Sequence, residues 1–435
     1  MPSVTSLPGF RDFYPADLAV RSHITNAWRE VAQRHGFEEY DGPPLESLEL
    51  YTEKSGDEIV GQLYAFEDKG GRDVALRPEM TPTLARMVGA RAGGLRKPIR
   101  WFSMPQLFRY ERTQRGRLRE HFQWNVDILG EDDVSADAEI LATALDALHY
   151  LGLRSDDIVA RYSDRRLLEK LLLHAGVPAD RLGGAYAAID KLLREPEERI
   201  RGRLEEAGIE TGVTADILAI FRLRDHGAFV ERYGDVPGVR EELDRLAAYR
   251  THLEDLGAGP LVSFDPTIVR GLAYYTGTVF EIFDRRGELR AICGGGRYDA
   301  LLRAVSGTDL AAVGFGMGDV VLAELLADRG LLPDYHPAVD YFIVAVTESE
   351  RSLQRRIATR LRARGHSASY GLRATTVRAQ LKEADARGAV RVVLLGPDEV
   401  AAGMVQLRSM ETGEQMQLPL DDLLAGADPS GPHAA

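Results

Sequence analysis

Residues 108–130, "FRYERTQRGRLREHFQWNVDILG", limit the possible folds more than any other stretch of this chain. From residue 98 to 130 the sequence reads as strands around a charged loop. Arg109 and Glu111 are two apart, so an extended strand presents both on one side, and Gln123, Asn125 and Asp127 repeat that spacing on the next strand. The loop between them supplies Arg112, Arg115, Arg117 and Arg119. Two antiparallel strands with charges turned inward, joined by an arginine-rich loop, can hold a phosphate over a sheet. A solvated strand face with a charged hairpin tip satisfies the same spacing.

Other segments carry polar chemistry. In "PTIVRGLAYYTGTVFEIF" (266–283), Arg270 stands beside Gly271 and shortly before two tyrosines in an otherwise apolar stretch, which suits a pocket for a polar, anionic group. In "RPEMTPT", Thr81 is placed to N-cap a helix with Pro82 at its first position. Glu79 is left over, and it could accept from an ammonium group. The glycines of "CGGGRYD" and "GFGMG" permit close backbone approach. Neither is a Walker A loop or a dinucleotide fingerprint. The ten histidines form no His-Glu-x-x-His set, and "GHSASYG" is not Gly-x-Ser-x-Gly. His121, read as part of the charged loop, could be a catalytic base, but a histidine in such a place is more often just a loop residue.

At 435 residues the chain is long enough for two or three domains with real cores. Residues 1–330 are expected to form one α+β domain, interrupted by a helical insertion over about 168–258 that is rich in Leu, Ala, Glu and Arg. A linker over 331–338, a small α/β domain over 339–425 and a flexible tail over 426–435 complete the expected organisation. The formal net charge of −13 argues against non-specific attraction to nucleic acid or acidic membrane, yet it allows a local basic groove. The single cysteine, Cys293, excludes an internal disulfide and any multi-thiolate metal site. No signal-peptide pattern and no membrane-length apolar run is found. A cytoplasmic enzyme or RNA-associated protein is expected.

Taken in order, "LPGFRDFYP", "ALRPEMTPTLAR", the 108–130 stretch, "VRGLAYYTGTVFE", "CGGGRYD" and "VGFGMG" resemble the histidyl-tRNA synthetases, a family of class II aminoacyl-tRNA synthetases. "AQLKEADARGAVRVVLLG" and "VQLRSMETGEQ" resemble that family's anticodon-binding domain. The resemblance implies an antiparallel-sheet catalytic domain with a helical insertion, followed by a C-terminal α/β anticodon-binding domain. It also implies ATP-dependent ligation of L-histidine to tRNA(His) through an adenylate, with Mg²⁺, in a cytoplasmic homodimer paired around "FEEYDGPPLE".

The same resemblance assigns roles. Arg109 and Arg270 would flank the α-phosphate and the histidine carboxylate. Glu79 and Thr81 would receive the α-amino group, Tyr275 and Tyr298 would line the side-chain pocket, and Gln123 with Asp127 would select imidazole. Glu111 and Arg117 would hold ATP. Gln114 would approach the tRNA acceptor end, while Arg373, Arg378 and Lys382 are candidates to meet the anticodon; Arg378 and Lys382, four apart, can share a helix face, which ordinary helix solvation explains as well. No protein-held metal is implied. Two positions depart from the pattern: Val321 stands where an arginine for the ATP γ-phosphate is expected, so either Arg115, Arg117 or Arg119 with Mg²⁺ takes that contact or ATP activation is impaired, and Ala273 replaces an acidic residue. The missing arginine favours an alternative, a non-charging histidine sensor like the regulatory subunit of ATP phosphoribosyltransferase. The C-terminal domain argues against it.

Overall fold

The computed structural model describes residues 5–52, 60–192, 195–269 and 274–425. The chain divides into two compact units, Met1–Pro333 and Asp334–Ala435. In the first, the strands are β1 (Glu38–Glu39), β2 (Leu45–Ser47), β3 (Tyr64–Glu67), β4 (Asp73–Leu76), β5 (Ile99–Ser103), β6 (Gln106–Phe108), β7 (Glu120–Leu129), β8 (Ile158–Asp164), β9 (Val262–Phe264), β10 (Thr278–Asp284), β11 (Cys293–Arg297) and β12 (Ala312–Gly318).

Nine of them form one sheet in the order β1-β5-β7-β12-β11-β10-β8-β9, with β6 also paired to β7, and β2-β4-β3 form a separate small sheet. The outermost pairs β1–β5 and β8–β9 are parallel; every other pair in the large sheet is antiparallel. The sheet is therefore mixed only at its edges, and its centre is the antiparallel platform expected from the sequence.

Alternation along β7 decides which residues go where. Trp124, Val126 and Ile128 enter the larger core, where Trp124 stacks on Trp28 at 6.0 Å and meets Phe315 edge-on at 5.1 Å. Trp28 comes from the helix Pro15–Arg34, whose buried stripe of Ile24, Trp28 and Val31 has helical spacing. Gly36, at φ 74°, lets the chain leave that helix. The helix Val134–Tyr150 covers the same face, its N-terminus capped by Asp133 accepting from Ser135 N at 2.8 Å. On the opposite face Leu129, Val279 and Ala312 pack under the helices Thr81–Gly89 and Asp299–Ser306.

Among the described residues, six α-helices from Arg165–His174 to Val239–Asp255 and the short 3-10 helix Ala179–Arg181 build the inserted region. Leu171, Ile217, Phe229 and Tyr249 tie them into the larger core. Asp164 starts the first by accepting from Arg166 N and Leu167 N.

The second unit holds β13 (Val339–Ala345), β14 (Ala368–Tyr370), β15 (Ala389–Leu395), β16 (Met404–Ser409) and β17 (Gln415–Pro419), in the order β14-β13-β15-β16-β17. β13 pairs in parallel with β14 and β15, while β16 and β17 are antiparallel additions. Tyr341 and Ile343 of β13 share a core with Ile357 and Leu361 of the helix Arg351–Ala363. Phe342 and Val344 share another with Ala384 of the helix Val377–Ala386. Strand alternation thus assigns one helix to each face, a three-layer α/β unit.

Candidate active site

Gln123, Asn125 and Asp127 project from β7 on the side away from Trp124. Their neighbours across the sheet are glycines: Gly314 pairs with Asp127, Gly316 with Asn125 and Gly318 with Gln123, and Gly294 and Gly296 of β11 continue the row. A Cβ at Gly314 would overlap Asp127 Oδ1, and one at Gly316 would lie 2.7 Å from the Gln123 side chain. The glycines of "CGGGRYD" and "GFGMG" therefore empty one sheet face so that polar side chains can lie over it. Phe315, between two of them, points the other way into the core.

Over this bare face is a cleft of about 190 Å³. Seven of the residues singled out in the sequence line it: Glu79, Thr81, Arg109, Gln123, Asp127, Tyr275 and Tyr298. Asp127 is 4% exposed and accepts a hydrogen bond from the Tyr298 hydroxyl. Burial pushes its carboxyl up to about 7, and the Tyr298 bond opposes that shift. Tyr298 is held well above its ordinary range, first by burial and then by the neighbouring carboxylate. Glu79 is buried and accepts from the Tyr274 hydroxyl at 3.1 Å. Arg109 Nε donates to the Pro78 carbonyl at 2.9 Å. That bond fixes the guanidinium plane.

Several local readings are corrected. Thr81 is the first residue of its helix; Met80 occupies the N-cap in an αR conformation without a side-chain bond, so Pro82 stands second. The Thr81 hydroxyl interacts instead with Tyr274. Arg109 and Glu111 do not share a strand face, because β6 ends at Phe108 and Glu111 N turns back to donate to Arg109 O at 2.8 Å. That turn carries Glu111 away from the cleft lining and into an ion pair with Arg117. His121 lies within β7, not in the loop. Burial, then Arg109 and Arg11, lowers its pKa to about 3, so it stays neutral at physiological pH.

In the loop, Gln114 and Arg117 exchange backbone hydrogen bonds around Gly116, at φ 71°. Gln114 is exposed. Arg115 is tied to Glu324 at 3.1 Å and Asp328 at 3.2 Å, and Arg119 lies over the Tyr110 ring at 4.1 Å. A Cβ at Gly116 would meet Val321 at 3.2 Å, so the valine packs beneath the loop's tightest point. Arg378 and Lys382 are exposed on the helix Val377–Ala386 of the second unit. Arg270, Ala273 and the tail 426–435 lie outside the described residues. Tyr274 was missed. The paired tyrosines were noticed, but only the fold reveals that the first one reaches Glu79.

Residues 9–319 match the family model described as Histidyl-tRNA synthetase, and residues 340–427 match Anticodon binding domain. The chain is 42% identical over 429 residues to "Histidine--tRNA ligase" of Opitutus terrae, covering 98% of each chain. It is 40% identical to "Histidine--tRNA ligase, chloroplastic/mitochondrial" of Arabidopsis thaliana, covering 95% of this chain and 85% of that one. The crystal structure of histidyl-tRNA synthetase from Nostoc sp. PCC 7120 superposes with a TM-score of 0.81 at 23% identity, over 99% of this chain and 100% of that chain. The chain belongs to the histidyl-tRNA synthetase family, the class II aminoacyl-tRNA synthetases that use ATP to ligate histidine to tRNA(His) through a histidyl-adenylate.

Proposed function

We propose that the cleft over β7, β11 and β12 is where this histidine–tRNA ligase binds and activates histidine. The observation that carries the assignment is the meeting of seven residues from five separate segments over one glycine-cleared face, with a buried carboxylate among them. In this reading Asp127 accepts from an imidazole N–H while Tyr298 fixes the carboxylate's orientation. Glu79, held by Tyr274, and Thr81 receive the α-amino group. Gln123 and Tyr275 close the sides. An amino acid unable to donate to Asp127 leaves a buried charge unpaired, which disfavours it strongly.

Activation follows from positioning. The histidine carboxylate oxygen attacks the α-phosphorus of ATP, the bond to the β-phosphate bridge breaks, and pyrophosphate leaves. Arg109, oriented by Pro78, offsets charge at the transferred group, a role the family resemblance also gives to Arg270. The terminal ribose hydroxyl of tRNA then attacks the mixed anhydride and AMP departs. Gln114 approaches the acceptor end, while Arg378 and Lys382 offer cations to the anticodon. Glu111 and Arg117 support ATP.

Mg²⁺ bound with ATP supplies Lewis-acid stabilisation of phosphoryl charge. Among the described residues there is no cluster of three acidic or metal-ligating side chains. Glu111 Oε1 is buried without a hydrogen-bond partner, a hard oxygen that would suit this ion if it were bound there. Arg115 is paired to two carboxylates, Arg117 to one, and Val321 is apolar, so the polyphosphate contact falls to the loop arginines collectively.

Homodimerisation around residues 37–46 follows the family reading, as does a cytoplasmic location. Among the described residues no helix is long and apolar enough to cross a membrane. The domain assignment proposed is catalytic for 1–330 and anticodon-binding for 339–425. A histidine-sensing role without charging is disfavoured by the Anticodon binding domain match. The test is histidine-dependent ATP–pyrophosphate exchange, with the other amino acids as controls. Exchange with histidine alone is expected, and Arg109→Ala should lower it by roughly 100–1,000-fold. Histidine-independent exchange, or an undiminished Arg109→Ala rate, would refute the assignment.

A further inference from the structure

Beside the cleft two buried hydroxyls, those of Tyr40 and Ser103, lie near each other without completing a hydrogen bond of normal geometry. Tyr40 follows β1, its ring 5.4 Å from Trp101, and its backbone N–H donates to Phe102 O at 2.8 Å. Ser103, fully buried at the end of β5, is paired across the sheet with Asn125, and Trp101 is paired with Asp127. Ser103 therefore shares the face that bears Asn125 and Asp127. Neither Tyr40 Oη nor Ser103 Oγ completes a hydrogen bond of normal geometry, although the serine lies near enough to ease the phenol's ionisation. Buried hydroxyls are rarely left unsatisfied, because desolvation costs about 1–3 kcal/mol for each such group. Two in one place beside a buried carboxylate mark a polar site that a bridging water can complete.

We propose that Tyr40 and Ser103 are positioning residues for histidine recognition: their hydroxyls, through one shared water, donate to Asp127 from the side opposite Tyr298 and keep it an anionic acceptor for the imidazole N–H. The inference rests on the cleft being the histidine pocket. Tyr298 already supplies one donor to Asp127. A buried carboxylate with a single donor ionises reluctantly, and a second donor favours the charged form. The groups facing this point from neighbouring elements are Tyr298 itself, with Tyr274 and its partner Glu79 beyond it, and Asp41 and Arg77 around Tyr40. Asp41 and Arg77 are paired with each other at 2.9 Å and largely offset one another. The hydroxyls of Tyr40 and Ser103 are thus neutral donors near this carboxylate in addition to Tyr298.

The test is Tyr40→Phe, which removes one oxygen and keeps the ring against Trp101, assayed by pyrophosphate exchange from pH 5.5 to 9. The KM for histidine at pH 7 should rise roughly 5–10-fold, with kcat and the KM for ATP nearly unchanged. The acid limb of kcat/KM for histidine should move to higher pH by roughly half to one unit, since losing a donor raises the Asp127 pKa. Titration of free histidine is common to both enzymes and cancels. Ser103→Ala should shift the limb the same way by less, and it serves alone if Tyr40→Phe melts early. An unmoved limb and KM in both variants overturns the proposal. Asp127→Asn separates the two levels: if it leaves histidine KM unchanged, the pocket assignment has failed, whereas a large rise with silent Tyr40 and Ser103 variants overturns the relay alone.

Discussion

On one face of β7, Trp124, Val126 and Ile128 are sealed among Trp28, Phe315 and the helix Val134–Tyr150. On the other, Gln123, Asn125 and Asp127 lie over a row of glycines and border a cleft. The backbone is common to both. What differs is the facing strand: β12 offers Val313, Phe315 and Met317 to the core, and Gly314 and Gly316 to the cleft. The same hydrogen-bonded ladder that anchors the core also fixes the polar side chains, so a rigid platform positions the site without adding bulk to it. Stability and recognition are carried by alternate residues of one strand.

This contrast can be broken from either side. The largest effect is expected from Trp124→Ala, which should cost about 3–5 kcal/mol of stability through lost burial and a residual cavity. Denaturant unfolding measures it; the histidine KM of the molecules that remain folded should move little. A large KM change with intact stability would show that the two faces are not separable.

Asp127→Asn probes the opposite face through pH. Its folded-state pKa is raised from 3.8 to about 7, so the folded protein holds a proton that the unfolded chain has released across that interval. The stabilising contribution is complete below 3.8 and is lost as pH rises through 7. The neutral asparagine does not titrate. Relative to wild type, Asp127→Asn should therefore gain stability between pH 4 and 8, on the order of 2–4 kcal/mol for the ligand-free protein. Parallel unfolding curves at the two pH values would contradict the burial argument.

Gly314→Ala sharpens the comparison further. The new methyl group collides with Asp127 and with the Val126 carbonyl rather than entering the core. The kcat/KM for histidine should fall roughly 100-fold, about 2.7 kcal/mol, mainly by displacing the carboxylate. Unchanged kinetics would mean that the cleared face is not needed by the substrate.

The positions of the strands around the arginine-rich loop were legible because a spacing of two has one structural meaning in an extended chain. The bare glycine clusters were not. "CGGGRYD" and "GFGMG" permit close approach to almost anything, and only the register of β11 and β12 against β7 shows that they clear space for Asp127 and Gln123. Thr81 carries a good capping residue's chemistry, yet Met80 takes the N-cap and the hydroxyl turns to Tyr274, a tertiary partner that local propensity cannot see. Glu111 was misplaced for a similar reason. One backbone bond to Arg109 O ends the strand early.

What the sequence determined by itself was the periodic and chemical order: alternating strands, amphipathic helices, a midway helical region, and an ordered set of motifs that together resemble one family. Those properties depend on neighbours within a few residues, or on motif order along the chain. The tertiary structure alone decided that Glu79, Arg109, Asp127, Tyr275 and Tyr298 line one cleft, that Tyr274 supports Glu79, and that Tyr40 and Ser103 lie unsatisfied behind the carboxylate. Each of these depends on groups from separate strands and loops meeting in a low-dielectric interior. There a missing partner or a single methyl group matters, and no local pattern records who the neighbour will be.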